Sequence, residues 1–469
     1  MRCTKQAPCV SPIMKSSLTV LLLTAVVFLQ ACGPAAPLLT LPSEASEALA
    51  ERKAEFPAQP IIAVTDGEGN RDYLETPDDK TVEEASATIY EIGSVTKVFT
   101  GLMLAQYAAE GKVDLKDPIR EYLPDSVQVP NKNGKMIRLV DLATHTSGLA
   151  RMPDNFAPRD PANPYADYTV AQMYDYLSRA TLASAPGEKY AYSNFGMGLL
   201  GHILERIGGM TWEQLVNERV LKPLGMTSSY VSLPITARQR FIEGYAGVSV
   251  ASAWDIRTLT GAGGLRSSTA DMLRFIEAYL KAGEHPLKEA LQLSMQPHYT
   301  APDSSLSHGL GWHITHSDAG DIHWHNGATG GYKSCIGFRK DLGAGAVGLV
   351  NNSSVDMTDI VLSLLDTTYQ VRRYPPTVSV PTDLLDSYEG RYQLGPGFVI
   401  TISHRDGKLY AQATGQDEFR IYPKTQSRFA YRVVEAEIEF APPVGNTCPS
   451  ITLYQAGREL PANRIEAEQ

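Results

Sequence analysis

The segment 91–100 contains a serine and a lysine at the spacing of an activated nucleophile. The pattern over 94–110 predicts a helix that is apolar on nearly every side, and such helices are buried. Lys97 falls in its first turn, although lysine is rarely buried without a partner. Ser94 precedes it by three residues, so both side chains share one helix face. A serine at a helix N-terminus beside a buried amine is suited to attack on a carbonyl carbon.

The alternative is that Ser94 only caps the helix and that Lys97 extends its amine into solvent. The S-x-x-K spacing occurs in many unrelated proteins, so catalysis requires partners elsewhere in the chain. Two segments supply suitable groups. One is Tyr192-Ser-Asn194, just before a predicted helix over 195–207. The other is His325-Asn-Gly327, on a predicted strand that continues through Ala328.

Five of the ten histidines lie between positions 308 and 325, so a metal site has to be considered. His323 and His325 alternate along the predicted strand and therefore share one of its faces. Neither an H-E-x-x-H motif nor a zinc-type Cys/His spacing accompanies them. We therefore expect no metal and no other cofactor, and we assign His325 to a catalytic edge strand.

The first 31 residues have the features of a bacterial export signal. Basic residues precede an uncharged apolar run over 18–29, which is too short to cross a bilayer as a helix. The run ends in Leu29-Gln-Ala-Cys32, which resembles a lipoprotein cleavage site, so Cys32 is the expected lipidation site. Met14 is a more typical start for such a signal than Met1. The alternative is an ordinary cleaved signal followed by a free protein.

Charge and cysteine content exclude several classes of protein. The net charge of −10 becomes −13 once the three basic residues of the signal are removed. Such a balance argues against nucleic acid as a partner and against electrostatic attachment to an anionic surface. Beyond the signal and Cys32, only Cys335 and Cys448 remain, too few for a disulfide framework. The exported chain must therefore depend on a large core.

Composition shifts divide the chain into segments. A Pro-rich irregular stretch over 152–165 predicts a wall or lid of a functional site, because long loops in compact domains are usually functional, and disorder is the alternative. After a Pro-containing linker, short alternating segments separated by turns predict a small all-β module. We expect a signal peptide over 1–31, a tether over 32–47, a catalytic domain over 48–372, a linker over 373–382 and a small β domain over 383–469.

With Ser94-Val-Thr-Lys97, Tyr192-Ser-Asn194 and His325-Asn-Gly327 in this order, the chain resembles the serine β-lactamase and penicillin-binding protein superfamily. It looks most like the class C-like branch, which includes D-Ala-D-Ala carboxypeptidases, D-aminopeptidases and family VIII esterases. The resemblance covers about residues 50–370. It implies an α+β fold, in which an antiparallel sheet flanked by helices lies beside an α-helical lobe. The terminal module is similar to small β-barrel domains appended to such hydrolases.

The resemblance also implies roles for the motif residues. Ser94 attacks a carbonyl carbon to form an acyl-enzyme, Lys97 assists with a lowered proton affinity, and Tyr192 relays protons. The general base stays open between these groups. The backbone N–H groups of Ser94 and Ala328 are expected to form an oxyanion hole. The expected substrate-binding residues are Asn194, His325, Asn326, Gly327 and Ala328.

The edge-strand motif separates the subclasses. Class C β-lactamases usually carry Lys-Thr-Gly there, whereas His-Asn-Gly looks more like the carboxypeptidase, peptidase and esterase members. We expect His325 to titrate near neutrality and to orient Tyr192 or the substrate. No arginine just before His325 is available to bind a terminal carboxylate, and Arg266 is a candidate substitute. The expected substrate is a β-lactam, a D-amino-acid peptide or an ester.

Two other classes of function stay open at this point. A surface lipoprotein that binds penicillin or peptidoglycan without turnover would carry the same motifs. A metal-dependent binding protein would instead use the histidine cluster. We expect an exported bacterial lipoprotein, held by its lipid at the periplasmic face of the outer membrane if the host has one. The sequence does not indicate the oligomeric state.

Overall fold

The computed structural model describes residues 39–54, 56–303, 305–374, 377–395, 397–414, 418–432, 434–455 and 457–466. The predicted export signal and Cys32 lie outside these residues. Within the described ranges, no helix combines the length and the apolar character that crossing a bilayer requires. Cys335 and Cys448 are buried free thiols.

The helices of the described chain are short to medium in length, and most of them precede the last strands of the catalytic domain. They are α1 (Ser43–Lys53), α2 (Val82–Ala87), α3 (Thr96–Ala109), α4 (Leu139–Ala143), α5 (Val170–Arg179), α6 (Asn194–Gly208), α7 (Trp212–Val216), α8 (Thr260–Gly263), α9 (Thr269–Leu280), α10 (Lys288–Met295), α11 (Thr358–Leu365) and α12 (Thr382–Tyr388).

The strands of the catalytic domain form one large sheet and three small two-stranded sheets. They are β1 (Ile61–Asp66), β2 (Arg71–Glu75), β3 (Ile89–Glu91), β4 (Asn131–Lys132), β5 (Lys135–Met136), β6 (Gly244–Ala246), β7 (Ser249–Ala251), β8 (Arg266–Ser268), β9 (Tyr299–Thr300), β10 (Leu306–His308), β11 (His313–Ser317), β12 (Gly320–Ala328), β13 (Lys333–Arg339) and β14 (Ala344–Val350). The large sheet has the order β2-β1-β14-β13-β12-β11-β10-β9, and its pairs are antiparallel.

The central strands of this sheet are buried on both faces. Ile61 and Ala63 of β1 contribute to the same core as α3 and α9, whereas Ile62 and Val64 pack with α11 on the opposite face. Successive side chains of a strand point to opposite faces, which explains why β1 is apolar without interruption. The predicted α+β fold, with helices flanking an antiparallel sheet, is confirmed.

Helix α3 crosses the interior of the catalytic domain. Every residue from Thr96 to Tyr107 is buried, as its apolar character on nearly every side predicts. The α-helix begins two residues later than the sequence pattern predicts, because a 3₁₀ turn over Gly93–Val95 precedes it. Ser94 therefore lies in a tight turn that leads into the helix, and Lys97 lies in the first helical turn.

The C-terminal module is a closed antiparallel barrel. Its strands are β15 (Gly390–Gly395), β16 (Phe398–Arg405), β17 (Lys408–Ala413), β18 (Glu418–Pro423), β19 (Arg428–Tyr431), β20 (Ala436–Phe440), β21 (Ser450–Gln455) and β22 (Arg458–Ile465). Each strand pairs with the next, and β15 pairs with β22. Helix α12 adds Leu385 and Tyr388 to the barrel core. The predicted small all-β, barrel-like domain is confirmed.

Candidate active site

The three motif segments meet at one cleft of about 460 Å³. The 3₁₀ turn supplies Ser94, the start of α6 supplies Tyr192 and Asn194, and the end of β12 supplies the third motif. The cleft is lined by Ser94, Arg151, Tyr165, Tyr190, Tyr192, Asn194, Trp254, His313, Asn326, Gly327, Ala328, Thr329 and Lys333.

The start of α6 is fixed to the loop that follows α4. The Ser193 hydroxyl accepts a hydrogen bond from the Gly196 amide as the N-cap of α6 and donates one to the Ala150 carbonyl at 2.7 Å. The Ser193 amide donates to His145 Nδ1 at 3.2 Å. These bonds hold the backbone on either side of Tyr192 and Asn194, so both side chains project into the cleft from a rigid element.

Lys97 is fully buried, and its amine has three hydrogen-bond partners. Its Nζ lies 2.9 Å from Ser94 Oγ, 2.9 Å from Asn194 Oδ1 and 2.6 Å from the Ala262 carbonyl oxygen in α8. The alternative in which Lys97 extends to solvent is therefore wrong. The amine joins the nucleophile turn to the second motif.

The partners of Lys97 indicate which protonation state can act. Burial lowers the pKa of the Lys97 amine well below its usual value, and the charge of Arg151 acts in the same direction. A neutral amine has two N–H groups and one lone pair. Since two of its partners, Asn194 Oδ1 and the Ala262 carbonyl, can only accept, they take both N–H groups. The lone pair is left for the Ser94 hydroxyl, as a general base for that serine requires.

The pKa of Tyr192 is shifted in the direction opposite to that of Lys97. Burial raises the pKa of its phenol to about 12, although a hydrogen bond with Ser94 and the charge of Arg151 partly oppose this. The Lys97 Nζ atom lies 4.9 Å from the centre of the Tyr192 ring. A phenol that keeps its proton at neutral pH acts as a donor. These opposite pKa shifts suit Lys97 to accept a proton and Tyr192 to donate one.

Two glycines allow the end of β12 to approach the nucleophile. Gly93 has a φ of +48°, and a Cβ there would lie 2.8 Å from the Ala328 amide nitrogen. A Cβ on Gly327 would lie 2.1 Å from the Ile92 carbonyl oxygen and 3.0 Å from the Ser94 amide nitrogen. The backbone of Ala328 consequently lies beside Ser94, as an oxyanion hole from these two residues requires.

The same part of β12 has one open side. Strand β11 pairs with β12 only as far as the His313–Trp324 pair, so 325–328 extend beyond it. Strand β13 continues to pair with them on the other side, up to the Ala328–Lys333 pair. An extended substrate can therefore align along the open side next to Ser94.

His325 lies behind the wall of the cleft. The side chain is 1% exposed, and its Nδ1 lies 2.6 Å from the Asn326 carbonyl oxygen. Burial lowers the pKa of His325 well below its usual value, and the neighbouring His313 lowers it further. The prediction that His325 titrates near neutrality is therefore wrong, because a sequence motif does not reveal burial. The centre of its ring lies 6.3 Å from that of Tyr192.

A cluster of neutral imidazoles supports this wall. His313 stacks on His325 with ring centres 4.6 Å apart, and its Nδ1 lies 3.3 Å from His308 Nδ1. Burial lowers the pKa of His308 to about 4 and that of His313 to about 3. His145 packs its ring 4.4 Å from the ring of Tyr192. No group of three His, Cys, Asp or Glu residues within the described ranges is placed to hold a metal ion.

With this geometry established, comparison with known proteins identifies the family. Residues 63–365 match the family model described as Beta-lactamase. The chain belongs to the beta-lactamase family. Residues 374–464 match a second model, described as Domain of unknown function (DUF3471), which corresponds to the barrel.

Individual relatives within and around this family include peptidases and β-lactamases. The chain is 35% identical to "D-alanyl-D-alanine-carboxypeptidase/endopeptidase AmpH" of Escherichia coli (strain K12), over 47% of this chain and 57% of the relative. It is 31% identical to a "Beta-lactamase" of Pseudomonas fluorescens, over 48% and 60%. It is 26% identical to "Protein flp" of Staphylococcus aureus (strain N315), over 75% and 70%. The chain thus spans little more than half the length of the first two.

Arg266 is not free to bind a terminal carboxylate of the substrate, the role for which the sequence made it a candidate. It is 8% exposed and forms an ion pair with Glu91 at 3.2 Å. It also donates to the carbonyl oxygens of Val231 at 2.5 Å and Trp254 at 2.8 Å. Its guanidinium is therefore used within the protein, and the candidate role in carboxylate binding is wrong.

Several cleft residues were missed by the sequence analysis. Tyr165, in the irregular stretch predicted to form a wall, packs 5.2 Å from the ring of Trp254. Tyr190 stacks on His308 at 4.1 Å. Arg151 and Lys333 bring positive charge into the cleft. The Pro-rich composition indicated the loop, whereas none of these side chains carries a motif of its own.

Proposed function

We propose that this protein is a serine hydrolase that acts through an acyl-enzyme on Ser94, with D-amino-acid peptides as its main substrates. The observation that carries the proposal is the hydrogen-bonding of Lys97, whose two acceptor-only partners direct its lone pair to the Ser94 hydroxyl. Membership of the beta-lactamase family supports a serine hydrolase of this fold.

The proposed reaction has two half-steps. Lys97 Nζ accepts the proton of Ser94 Oγ while Oγ bonds to the substrate carbonyl carbon, and the oxyanion lies between the amides of Ser94 and Ala328. The C–N or C–O bond then breaks as Tyr192 Oη donates its proton to the leaving group, and Lys97 returns a proton to Tyr192. In the second half-step water bonds to the acyl carbon and gives a proton to Lys97, the bond from that carbon to Ser94 Oγ breaks, and Lys97 returns the proton to Oγ, which releases the acid and restores Ser94.

A peptide substrate is favoured over a β-lactam for two reasons. The edge strand presents His-Asn-Gly, and its histidine is buried and neutral, whereas β-lactamases of the class C-like type usually carry Lys-Thr-Gly there. The relative with 35% identity is named a D-alanyl-D-alanine carboxypeptidase and endopeptidase. An esterase of the same fold is the alternative within this mechanism.

The test compares the purified protein with its Ser94→Ala and Ser86→Ala variants on four substrates. These are a D-Ala-D-Ala peptide, a fluorescent penicillin, a chromogenic cephalosporin and p-nitrophenyl butyrate. The Ser86 hydroxyl donates an exposed hydrogen bond to the Glu83 carbonyl oxygen in α2, and this serine serves as the matched control. We expect Ser94→Ala to lose both labelling and turnover. Among the four substrates, the wild type should turn over the D-Ala-D-Ala peptide fastest. Labelling without turnover would instead indicate a penicillin-binding receptor, and labelling of the Ser94→Ala protein would contradict the nucleophile.

We also propose that the protein is exported and anchored by a lipid on Cys32. The support is the Leu29-Gln-Ala-Cys32 sequence after a short apolar run, which lies outside the described residues. The mass spectrum of the mature N-terminus tests this, and we expect a lipidated cysteine as the first residue. An unmodified N-terminus would contradict it.

A further inference from the structure

The charge of the cleft differs from the charge of the whole chain. The chain has a net charge of −10, yet the described lining of the cleft includes Arg151 and Lys333 and no Asp or Glu. The two cations lie on different walls, since Arg151 lies in the loop that follows α4 and Lys333 begins β13. An acidic protein that places only cations in its cleft favours a negatively charged ligand.

The two cations are not equally available. Lys333 Nζ lies 3.7 Å from a carboxylate oxygen of Asp356, so part of its charge is neutralised. Arg151 is exposed, and no described carboxylate lies within ion-pair distance of its guanidinium. Asp154, close to it in sequence, is bound instead by Arg179 at 2.6 Å and 2.8 Å. Arg151 therefore brings to the cleft guanidinium donors that no described carboxylate occupies.

The guanidinium of Arg151 is held against the catalytic tyrosine. Its central carbon lies 5.0 Å from the centre of the Tyr192 ring, within cation–π range. An alternative role is to tune the proton affinities of Lys97 and Tyr192 by its charge alone. Burial is the main cause of both pKa shifts, and the charge of an exposed arginine is screened by solvent and salt. Tuning alone thus leaves the position of Arg151 unexplained.

We infer that Arg151 recognises a carboxylate of the substrate, so that the proposed hydrolase acts on anionic peptides. A guanidinium binds a carboxylate through two parallel N–H donors, which fixes both the position and the orientation of the ligand. This assigns to the α4 loop the charge recognition that neither the residues before His325 nor the buried Arg266 provide. The inference rests on the proposed function.

The test uses pairs of substrates that differ in one charge. One pair is a diacylated Lys-D-Ala-D-Ala peptide and its C-terminal carboxamide, which places the charge on the leaving group. The other pair is the same carboxamide with an N-succinyl or an N-acetyl end, which places the charge on the acyl side. Since a hydrogen bond to a charged group contributes about 1.5–3 kcal/mol, Arg151→Gln should raise KM for one charged member about 10- to 100-fold. The kcat on that charged substrate, and both kcat and KM on the uncharged substrates, should change less than about 3-fold, because the lost contact serves binding of the charged group.

Two further variants make the result specific. Arg151→Lys should restore part of the affinity, because it keeps the charge and loses the paired donors. Arg159→Gln is the matched control, since Arg159 lies on the same loop, is highly exposed and forms its ion pair with Asp167 at 3.7 Å, away from the residues that line the cleft. It should behave as the wild type.

The outcomes separate this inference from the proposed function. Equal losses on charged and uncharged members, or a displaced pH–rate profile, would show that Arg151 acts on Lys97 and Tyr192 and would overturn the inference. The inference would also be overturned if Arg151→Gln kept wild-type KM values for the charged substrates while Ser94→Ala was inactive. If Ser94→Ala retained turnover, the proposed function itself would fail, whatever Arg151 does.

Discussion

Replacement of Lys97 by methionine tests the protonation state on which the mechanism depends. Methionine is apolar and of comparable length, but it can neither accept the Ser94 proton nor donate to Asn194 and Ala262. General acid–base catalysis contributes about 10²–10⁴-fold to a rate, so the acylation rate constant should fall by that factor. This corresponds to an increase of about 3–5 kcal/mol in the activation free energy. Asn194 Oδ1 and the Ala262 carbonyl oxygen each lose a hydrogen bond, which costs about 1–3 kcal/mol of stability per group. The variant no longer has to bury an amine, and this gain offsets the loss. The protein should therefore stay folded.

The same variant predicts a specific dependence of stability on pH. In the folded protein the pKa of Lys97 is well below its usual value of 10.5, so the unfolded chain binds one more proton than the folded chain between those two pKa values. Wild-type stability must therefore rise with pH in that window, by roughly 1.4 kcal/mol per pH unit from this residue. Lys97→Met lacks this contribution, so the wild type should gain stability relative to Lys97→Met as pH rises from 7 to 9.

Urea unfolding of both proteins at pH 7, 8 and 9 measures this difference, and single-turnover acylation measures the chemistry. Wild-type acylation should rise with pH until Lys97 is neutral, because only the neutral amine accepts the Ser94 proton. If the stability difference were constant across this range, Lys97 would be protonated in the folded state. The assignment of Lys97 as the base would then be refuted.

Two further predictions concern the other walls of the site. Tyr192→Phe keeps the ring that packs on His145 and loses the proton donor, so burst kinetics should show turnover reduced about 10²–10⁴-fold; a rate near that of the wild type would remove Tyr192 from proton delivery. Gly327→Ala places a Cβ 2.1 Å from the Ile92 carbonyl oxygen, which displaces β12 from Ser94, and penicillin labelling should slow about 10²–10³-fold. Gly283→Ala meets no atom within 4 Å and is its control; equal labelling of both variants would contradict the close approach of β12.

Local patterns predicted the parts of the structure that depend on neighbouring residues. The S-x-x-K spacing placed Ser94 and Lys97 on one face, and unbroken apolarity indicated that α3 is buried. Alternating segments after the linker predicted the barrel. The 3₁₀ turn at Gly93 was not predicted, because it is set by the approach of Ala328 from a distant strand.

The rest of the site depends on burial and on contacts between segments far apart in the chain. Arg266 was proposed from residue type alone, and only the fold reveals that Glu91 binds it. His325 was assigned a titration near neutrality, whereas burial among uncharged and cationic neighbours lowers its pKa well below that range. Arg151 reaches the cleft from a loop without any motif, so its charge could not be assigned to the site from the sequence.

Closure of the barrel has a consequence for how the protein folds. Residues 391–393 of β15 pair with 463–465 of β22, so the first and last strands of the module depend on each other. A contact across such a separation forms late, because the loop between its ends must first be ordered. The module therefore cannot close during synthesis until its last strand has left the ribosome. Until then the edge of β15 that faces β22 is unpaired, and unpaired strand edges favour association between incomplete chains.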